Sequence, residues 1–393
     1  MSLKSTPRGM RSVIAIIGRT NVGKSSLLNA ITGMEVSIVS DISGTTTDAV
    51  AKPYELIPVG PVVFYDTAGL DDTSELGQKR IKATDKVLFK SNLVLLVCGE
   101  KGLGDFEKQT IQRLLKLKIP YIIIFNKSDI SPLKKEDKNF CESNNIAYIT
   151  TDISDKASIN ALKDLIISQI PSDDMTLFSG IIKEGEIIVM VTPIDAEAPK
   201  GRLILPQVQA LRDILDKNAV AIVAQPEQLS ITLAVLNKLP DWIVCDSQAI
   251  KQVKNLIPEG VKLTTFSILF ARLKGDLKTL REGADVLDNI KDGGKILIAE
   301  ACAHHTAGDD IAKVKLPNAI RNYTQKQINF SYCNGSDFPE NLEDFDLVIH
   351  CGACMLNKTE MLNRINECVR QNIPISNFGV VLSKISKVKT ADL

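Results

Sequence analysis

Between residues 13 and 32 an apolar, β-branched stretch (Val13–Ile17) runs through Gly18-Arg19-Thr20-Asn21-Val22-Gly23-Lys24-Ser25 into a helical stretch (Ser26–Thr32). Two glycines at this spacing, closed by lysine and serine and set between a strand and a helix, constrain the fold more than any other feature. The glycines let backbone N–H groups curl around an anion, and the helix N-terminus adds its positive dipole end. The pattern therefore predicts an α/β fold with a phosphate loop made by Gly18, Asn21, Val22, Gly23, Lys24, Ser25 and Ser26. Lys24 is expected to reach the β- and γ-phosphates, and the Ser25 hydroxyl to ligate Mg²⁺.

With 393 residues, two or three domains are expected. Short, nearly unalternating apolar runs at Val13–Ile17, Val62–Tyr65, Leu93–Val97, Tyr121–Phe125 and Ala147–Thr150 predict strands of a parallel sheet covered on both faces. Gln109–Leu117 and Ile159–Ile170 carry helical periodicity, and Pro171-Ser172-Asp173-Asp174 marks a break. The alternation resumes with strands at Ile187–Val191, Ala219–Val223, Trp242–Val244 and Lys262–Phe266, and with helices at Pro206–Asp216, Glu227–Leu239 and Gln248–Leu256. It runs a third time, with strands at Lys295–Ala299, Ile328–Tyr332, Phe345–His350 and near Ile373–Ser376. The expected organisation is three consecutive α/β domains over 8–171, 182–266 and 268–393. The first is a P-loop fold, and the third a Rossmann- or flavodoxin-like parallel sheet. The middle one lacks clustered catalytic residue types, which suggests an assembly role. No residue-level internal repeat is found.

Two further motifs follow predicted strands. Asp66-Thr67-Ala68-Gly69 places a carboxylate where it holds Mg²⁺ and a Gly69 N–H where it meets the γ-phosphate. Asn126-Lys127-Ser128-Asp129 offers Asp129 to the N1–H and exocyclic amine of guanine, whereas adenine would leave that carboxylate facing an acceptor. Gly44-Thr45-Thr46-Thr47-Asp48 reads as a first switch loop with Thr46 sensing Mg²⁺, and Thr151-Asp152 as a degenerate fifth motif. Lys24, Thr46, Asp66 and Gly69 are the expected catalytic set. The motif spacing resembles the translation-factor-related class of GTPases. Leu70 stands where many GTPases carry a water-orienting glutamine, so intrinsic hydrolysis is expected to be slow. In the Era-like and tRNA-modification branch, which this domain resembles, an asparagine matching Asn21 holds a K⁺ ion beside the phosphates.

Lys+Arg and Asp+Glu both total 47. That balance argues against nucleic acid or an anionic membrane as the main partner. No run of 18 apolar residues is present, and a cytoplasmic protein is expected. Eight cysteines are too few for a disulfide scaffold. All three histidines (His304, His305 and His350) lie close in sequence to Cys302 or Cys351.

Cys302-Ala303-His304 and His350-Cys351-Gly352-Ala353-Cys354 each follow a predicted strand of the third domain. In an open α/β sheet, loops at the carboxyl ends of strands form the ligand crevice. Cys302, Cys351, Cys354 and His304 would make a Cys₃His zinc site. The same set would also hold an iron–sulfur cluster on three thiolates, leaving one iron with a weak or exchangeable ligand. Cys98, Cys141, Cys245, Cys333 and Cys368 lack partner spacing and read as inert thiols.

A C-x-H…H-C-x-x-C pattern behind a GTPase domain and a middle domain resembles the HydF family, the maturation GTPases of di-iron (FeFe) hydrogenases, over essentially the whole chain. The resemblance implies a [4Fe–4S] cluster on Cys302, Cys351 and Cys354. It also implies a scaffold that receives a di-iron precursor and delivers it to apo-hydrogenase, with the radical-SAM maturases HydE and HydG as partners. The middle domain is then the dimerisation element of a homodimer or higher homo-oligomer. The competing reading is an Era- or tRNA-modification-like GTPase with a structural zinc.

Overall fold

The computed structural model describes residues 9, 11–33, 50–67, 75–171, 175–194, 203–301, 311–335, 337–388 and 390–391, with the side chains of 75–80 left out. The chain divides into two compact units, Met1–Asp173 and Asp174–Leu393.

The first unit runs β1 (Ser12–Gly18), α1 (Lys24–Thr32), β2 (Val50–Leu56), β3 (Gly60–Asp66), α2 (Glu75–Leu88), β4 (Leu93–Cys98), α3 (Asp105–Leu117), β5 (Tyr121–Asn126), α4 (Lys135–Ser143), β6 (Tyr148–Thr151) and α5 (Lys156–Gln169). Its six strands are ordered β2-β3-β1-β4-β5-β6. The apolar runs became the inner strands because both their faces are covered: every residue of β4 is buried. One core layer packs Ile14, Ile16 and Leu95 against α1 and α5, and the other packs Ala15, Ile17 and Leu96 against α2 and α3.

The sheet is not wholly parallel as predicted. β2 pairs antiparallel with β3, with Val50 opposite Asp66 and Leu56 opposite Gly60. Pro53 explains both the omission and the position, because proline lacks a ladder donor and is tolerated on an edge strand. The helices α2 and α4 were also absent from the sequence reading; their surfaces are too polar for an apolar stripe to stand out.

The second unit runs β7 (Ile187–Val191), α6 (Leu205–Asp216), β8 (Val220–Ala224), α7 (Leu229–Val235), β9 (Trp242–Cys245), α8 (Ile250–Val253), β10 (Lys262–Thr265), α9 (Phe266–Lys274), α10 (Leu277–Asp285), β11 (Lys295–Glu300), α11 (Leu316–Thr324), β12 (Asn329–Asn334), β13 (Leu347–His350), α12 (Lys358–Arg370), β14 (Ile375–Asn377) and α13 (Phe378–Ile385). It holds two four-stranded sheets, ordered β10-β9-β7-β8 and β12-β11-β13-β14, and every pairing in both is parallel. Counted from its own first strand, each has the order 2-1-3-4. A repeat invisible at residue level is thus present in topology.

Helix α7 is shorter than the predicted Glu227–Leu239. The chain turns extended at Leu236, and Ile231, Val235 and Leu239 point outward, 67%, 71% and 50% exposed. Helix starts in this unit carry side-chain caps: Thr265 on Ile268 N–H, Asn357 on Glu360 N–H and Asn377 on Val380 N–H. The sheets are tied where their strands end. Ser247 donates to Ser267 Oγ at 3.1 Å, and Asn377 Nδ2 donates to the Ser267 carbonyl at 3.3 Å. Among the described residues no helix is long and apolar enough to cross a membrane.

Candidate nucleotide site and metal centre

The phosphate loop leaves β1 and enters α1 through residues that tolerate no substitute. A Cβ on Gly18 would stand 2.4 Å from the Val97 carbonyl oxygen. Gly23 has φ +90°, and a Cβ there would meet Asn126 Nδ2 at 2.5 Å. Asn21 takes a left-handed φ of 62°, which asparagine accepts more readily than most residues, and it is exposed on the loop with Ser25 and Ser26. Val22 is buried. Lys24 is buried, and its Nζ donates to the Gly18 and Arg19 carbonyls at 3.0 and 2.6 Å. The ammonium therefore lies inside the curl of the loop.

At the loop's far end Ser25 Oγ donates to Asp66 Oδ2 at 2.5 Å. The other oxygen, Asp66 Oδ1, is buried with no hydrogen-bond partner. A hydroxyl and a carboxylate, one of whose oxygens has no hydrogen-bond partner, together fit a hard divalent cation such as Mg²⁺. Thr67 holds this corner to β1 by donating Oγ1–H to the Ile16 carbonyl at 2.8 Å.

Asn126, the last residue of β5, donates Nδ2–H to the Val22 carbonyl at 3.0 Å and accepts from Thr151 Oγ1 at 3.0 Å. It thus joins the phosphate loop, β5 and β6. Lys127 has φ 62° and pairs with Glu100 at 3.4 Å. Ser128 N–H donates to the Thr151 carbonyl at 3.1 Å, and Asp129 is exposed. The neighbouring Asp152 carboxyl is held below its usual range, first by the Ser154 hydroxyl and then by the Ser154 N–H. Thr46, Gly69 and Leu70 lie outside the described residues.

Sequence reasoning missed Glu107. Its buried carboxylate receives Arg19 Nε at 2.8 Å and Arg19 Nη2 at 2.9 Å, and also accepts from Gly104 N–H at 2.9 Å. A partner 88 residues away leaves no local signal.

In the second unit, β11 and β13 are adjacent although the chain reaches them through β12. This is the topological switch point, where an open α/β sheet presents its ligand crevice. Cys351 follows β13 and is tied to the end of β11: its N–H donates to the Ala299 carbonyl at 2.8 Å, and its Sγ accepts from Ala301 N–H at 3.1 Å. Cys302 is the next residue after Ala301; Cys302, His304 and His305 lie outside the described residues. Burial pushes the Cys354 thiol up, opposed by the Lys274 ammonium and by the N–H groups of Cys354 and Met355. Sulfur atoms facing N–H donors and a cation fit thiolate ligation of a metal centre. Among the described residues no group of three or more His, Cys, Asp and Glu is gathered.

His350 is fully buried, with Nδ1 2.9 Å from the Cys351 carbonyl and Nε2 2.9 Å from Arg364 Nη1. Arginine only donates, so Nε2 accepts and Nδ1–H donates to the carbonyl. Burial, and then the Arg364 charge, push this imidazole down to about 3. Both ring nitrogens are engaged within the protein. Cys141, Cys245, Cys333 and Cys368 are raised by burial, to about 11, 12, 11 and 12, and Cys98 is also raised. All five are therefore protonated thiols at neutral pH.

The chain matches the hydrogen maturase F dimerization domain over residues 177–275, the hydrogen maturase F tetramerization domain over 278–390 and the 50S ribosome-binding GTPase model over 13–127. Similar curated proteins include the tRNA modification GTPase MnmE of Prochlorococcus marinus, 37% identical over 142 residues, covering 35% of this chain and 30% of the relative. GTPase Der of Clostridium botulinum is 29% identical over 170 residues, covering 42% and 38%. The matched stretches thus span well under half of those relatives' length. Among solved structures, Aquifex aeolicus Era bound to GDP and AlF₄⁻ is 20% identical with a TM-score of 0.36, covering 54% of this chain and 92% of that one. The G domain of the T. maritima FeoB iron transporter is 22% identical with a TM-score of 0.31, covering 41% and 99%.

Proposed function

The chain belongs to the hydrogen maturase F family and carries a GTPase domain in its first unit, and from that premise we propose a Mg²⁺-dependent GTPase that carries a [4Fe–4S] cluster and serves as scaffold for the di-iron precursor of an FeFe-hydrogenase. Lys24 and the loop N–H groups neutralise the β- and γ-phosphates. Ser25, Asp66 and Thr46 hold Mg²⁺, Gly69 N–H meets the γ-phosphate, and Asn126, Lys127 and Asp129 select guanine. Asn21 provides a K⁺ site beside the phosphates.

Cys302, Cys351 and Cys354 hold the cluster, which supplies an iron with an exchangeable position for an incoming precursor. The chain's own residues present the thiolates, shield them on the Lys274 side and keep His350 off the metal. Delivery to apo-hydrogenase follows contact with HydE and HydG, and nucleotide state changes those contacts by ordering and releasing the switch segments. The chain works as a homo-oligomer, in keeping with the names of the two family models, and in the cytoplasm.

The observation that carries the cluster reading is the Ala301 N–H bond to Cys351 Sγ, which brings the chain neighbour of Cys302 against the second thiol segment at the switch point. Anaerobically reconstituted protein should be brown, with a broad absorbance near ~400 nm and about four irons per chain. Cys302→Ser, Cys351→Ser and Cys354→Ser should each abolish the cluster and spare GTP hydrolysis, whereas Lys24→Ala should do the reverse. A colourless chain holding one zinc would instead favour the Cys₃His reading.

A further inference from the structure

Lysine at the last residue of a helix ordinarily keeps its charge in water while its stem lies along apolar surface. Lys274, which ends α9, does the opposite: its side chain turns inward and the residue is only 5% exposed. Its Nζ donates to the carbonyls of Ala353, Cys354 and Leu356 at 3.1, 3.2 and 2.7 Å. All three acceptors are main-chain carbonyls. The Phe270 ring, 5.4 Å away and one turn back on α9, flanks it.

The three acceptors all lie in the segment that leaves β13 with Cys351 and Cys354. Its first carbonyl, that of Cys351, is taken by His350 Nδ1–H. Four carbonyls between 351 and 356 are therefore drawn to buried donors, and Ala353 adopts a left-handed φ of 53°. The ammonium thus touches the main chain of Cys354 itself, at 3.2 Å.

We propose that Lys274 is a positioning residue for the metal centre, its ammonium fixing the Cys351–Leu356 segment from the protein side and placing a positive charge behind the ligating sulfurs. This rests on the cluster reading above and adds to it a residue outside the cysteine pattern. A cation there favours the more negative, reduced state of any thiolate-bound iron–sulfur cluster.

The test uses the full chain with Lys274→Met, which keeps the stem and removes the donors and charge, and with Lys274→Arg, which keeps both. Each is reconstituted anaerobically with ferrous iron and sulfide. Iron per chain, the electron paramagnetic resonance of the reduced cluster and its midpoint potential are measured, with the fluorescence of Trp242 in the same unit as the folding control. Lys274→Met should lose iron several-fold, and its residual cluster should titrate at a lower potential with an altered resonance. Lys274→Arg should recover part of both. Wild-type iron content, resonance and potential in Lys274→Met overturn the proposal. A wild-type chain that takes up no cluster at all overturns the cluster reading and this proposal together, a result distinct from the first. Should Lys274→Met not fold, Lys274→Gln replaces it, and loss of folding in both assigns Lys274 to stability alone and overturns the proposal.

Discussion

The side-chain amide of Asn126 donates to the backbone carbonyl of Val22 across 104 residues of sequence and so ties the end of β5 to the phosphate loop. Asn126→Ala would leave that buried carbonyl and the Thr151 hydroxyl without their partner, at about 1–3 kcal/mol for each orphaned group. If about 1.4–2.8 kcal/mol of that cost falls on binding, GTP and GDP affinity should drop by roughly 10–100-fold. Titration with a fluorescent guanine nucleotide measures this. Thr151→Ala, which keeps the bond to Val22, should lose less.

Asp129→Asn should exchange guanine for xanthine. The exposed carboxylate of Asp129 suits the two donors on guanine, whereas an amide suits the carbonyl that replaces the exocyclic amine in xanthine. The ratio of GTP to XTP hydrolysis should invert. A variant that still prefers GTP would remove Asp129 from the base site.

Hydrolysis should depend on which monovalent salt is present. Replacing KCl by NaCl at equal ionic strength should slow turnover by roughly tenfold or more, the order expected when one charge-stabilising group is lost beside the phosphates. Asn21→Ala should turn over at one rate in both salts. Equal rates for the native chain would eliminate the K⁺ site.

His350 predicts an acid-sensitive second unit. Its imidazole is held near 3, against the usual 6.5, by burial and by Arg364. The unfolded chain therefore takes up a proton below about 6.5 that the folded chain refuses. This contribution is complete above that pH and is lost on descent toward 3, by at most about 1.4 kcal/mol per unit. Trp242 is the single tryptophan, is buried and belongs to the same unit, so its fluorescence reports this unfolding. Urea midpoints should fall between pH 7 and pH 5 in the native chain and fall less in His350→Asn. Identical slopes would acquit His350.

Gly283→Ala should destabilise the second unit without touching nucleotide binding. A Cβ at Gly283 on α10 would sit 1.9 Å from the Ile375 carbonyl of β14. Backbone must shift to admit it, at about 1–3 kcal/mol or more. Trp242 fluorescence in urea measures the loss, and wild-type stability would mean that α10 and β14 separate freely.

The parts legible in the sequence are those written in short range. Inner strands such as β1, β4 and β5 announce themselves because a strand covered on both faces must be apolar throughout. The phosphate loop and the Cys351 segment are legible because fixed spacing dictates their geometry. What escaped depends on distant partners. β2 carries Lys52, Pro53 and Glu55 and is a strand only because β3 lies beside it. Lys274 stands in a Lys/Leu-rich stretch that looks like a solvated helix, and only the fold reveals three carbonyls closing on it. Arg364 is the largest fully buried side chain of the described residues, yet on α12 it reads as one more surface charge until His350 and Glu360 meet it. Helix α7 erred the other way: Leu229 and Leu233 pack on the core of its own unit, while the apolar Ile231 and Val235 stay exposed.

Arg19 lies in the phosphate loop, yet both its Nε and its Nη2 are gripped by Glu107. It is a strut there, tying the loop to α3. Leu70 stands in place of a water-guiding glutamine, so in the proposed GTPase neither of these two side chains would speed hydrolysis. On the proposed reading its clock would be wound from outside, by the ions dissolved around it and by whatever surface comes to rest against it.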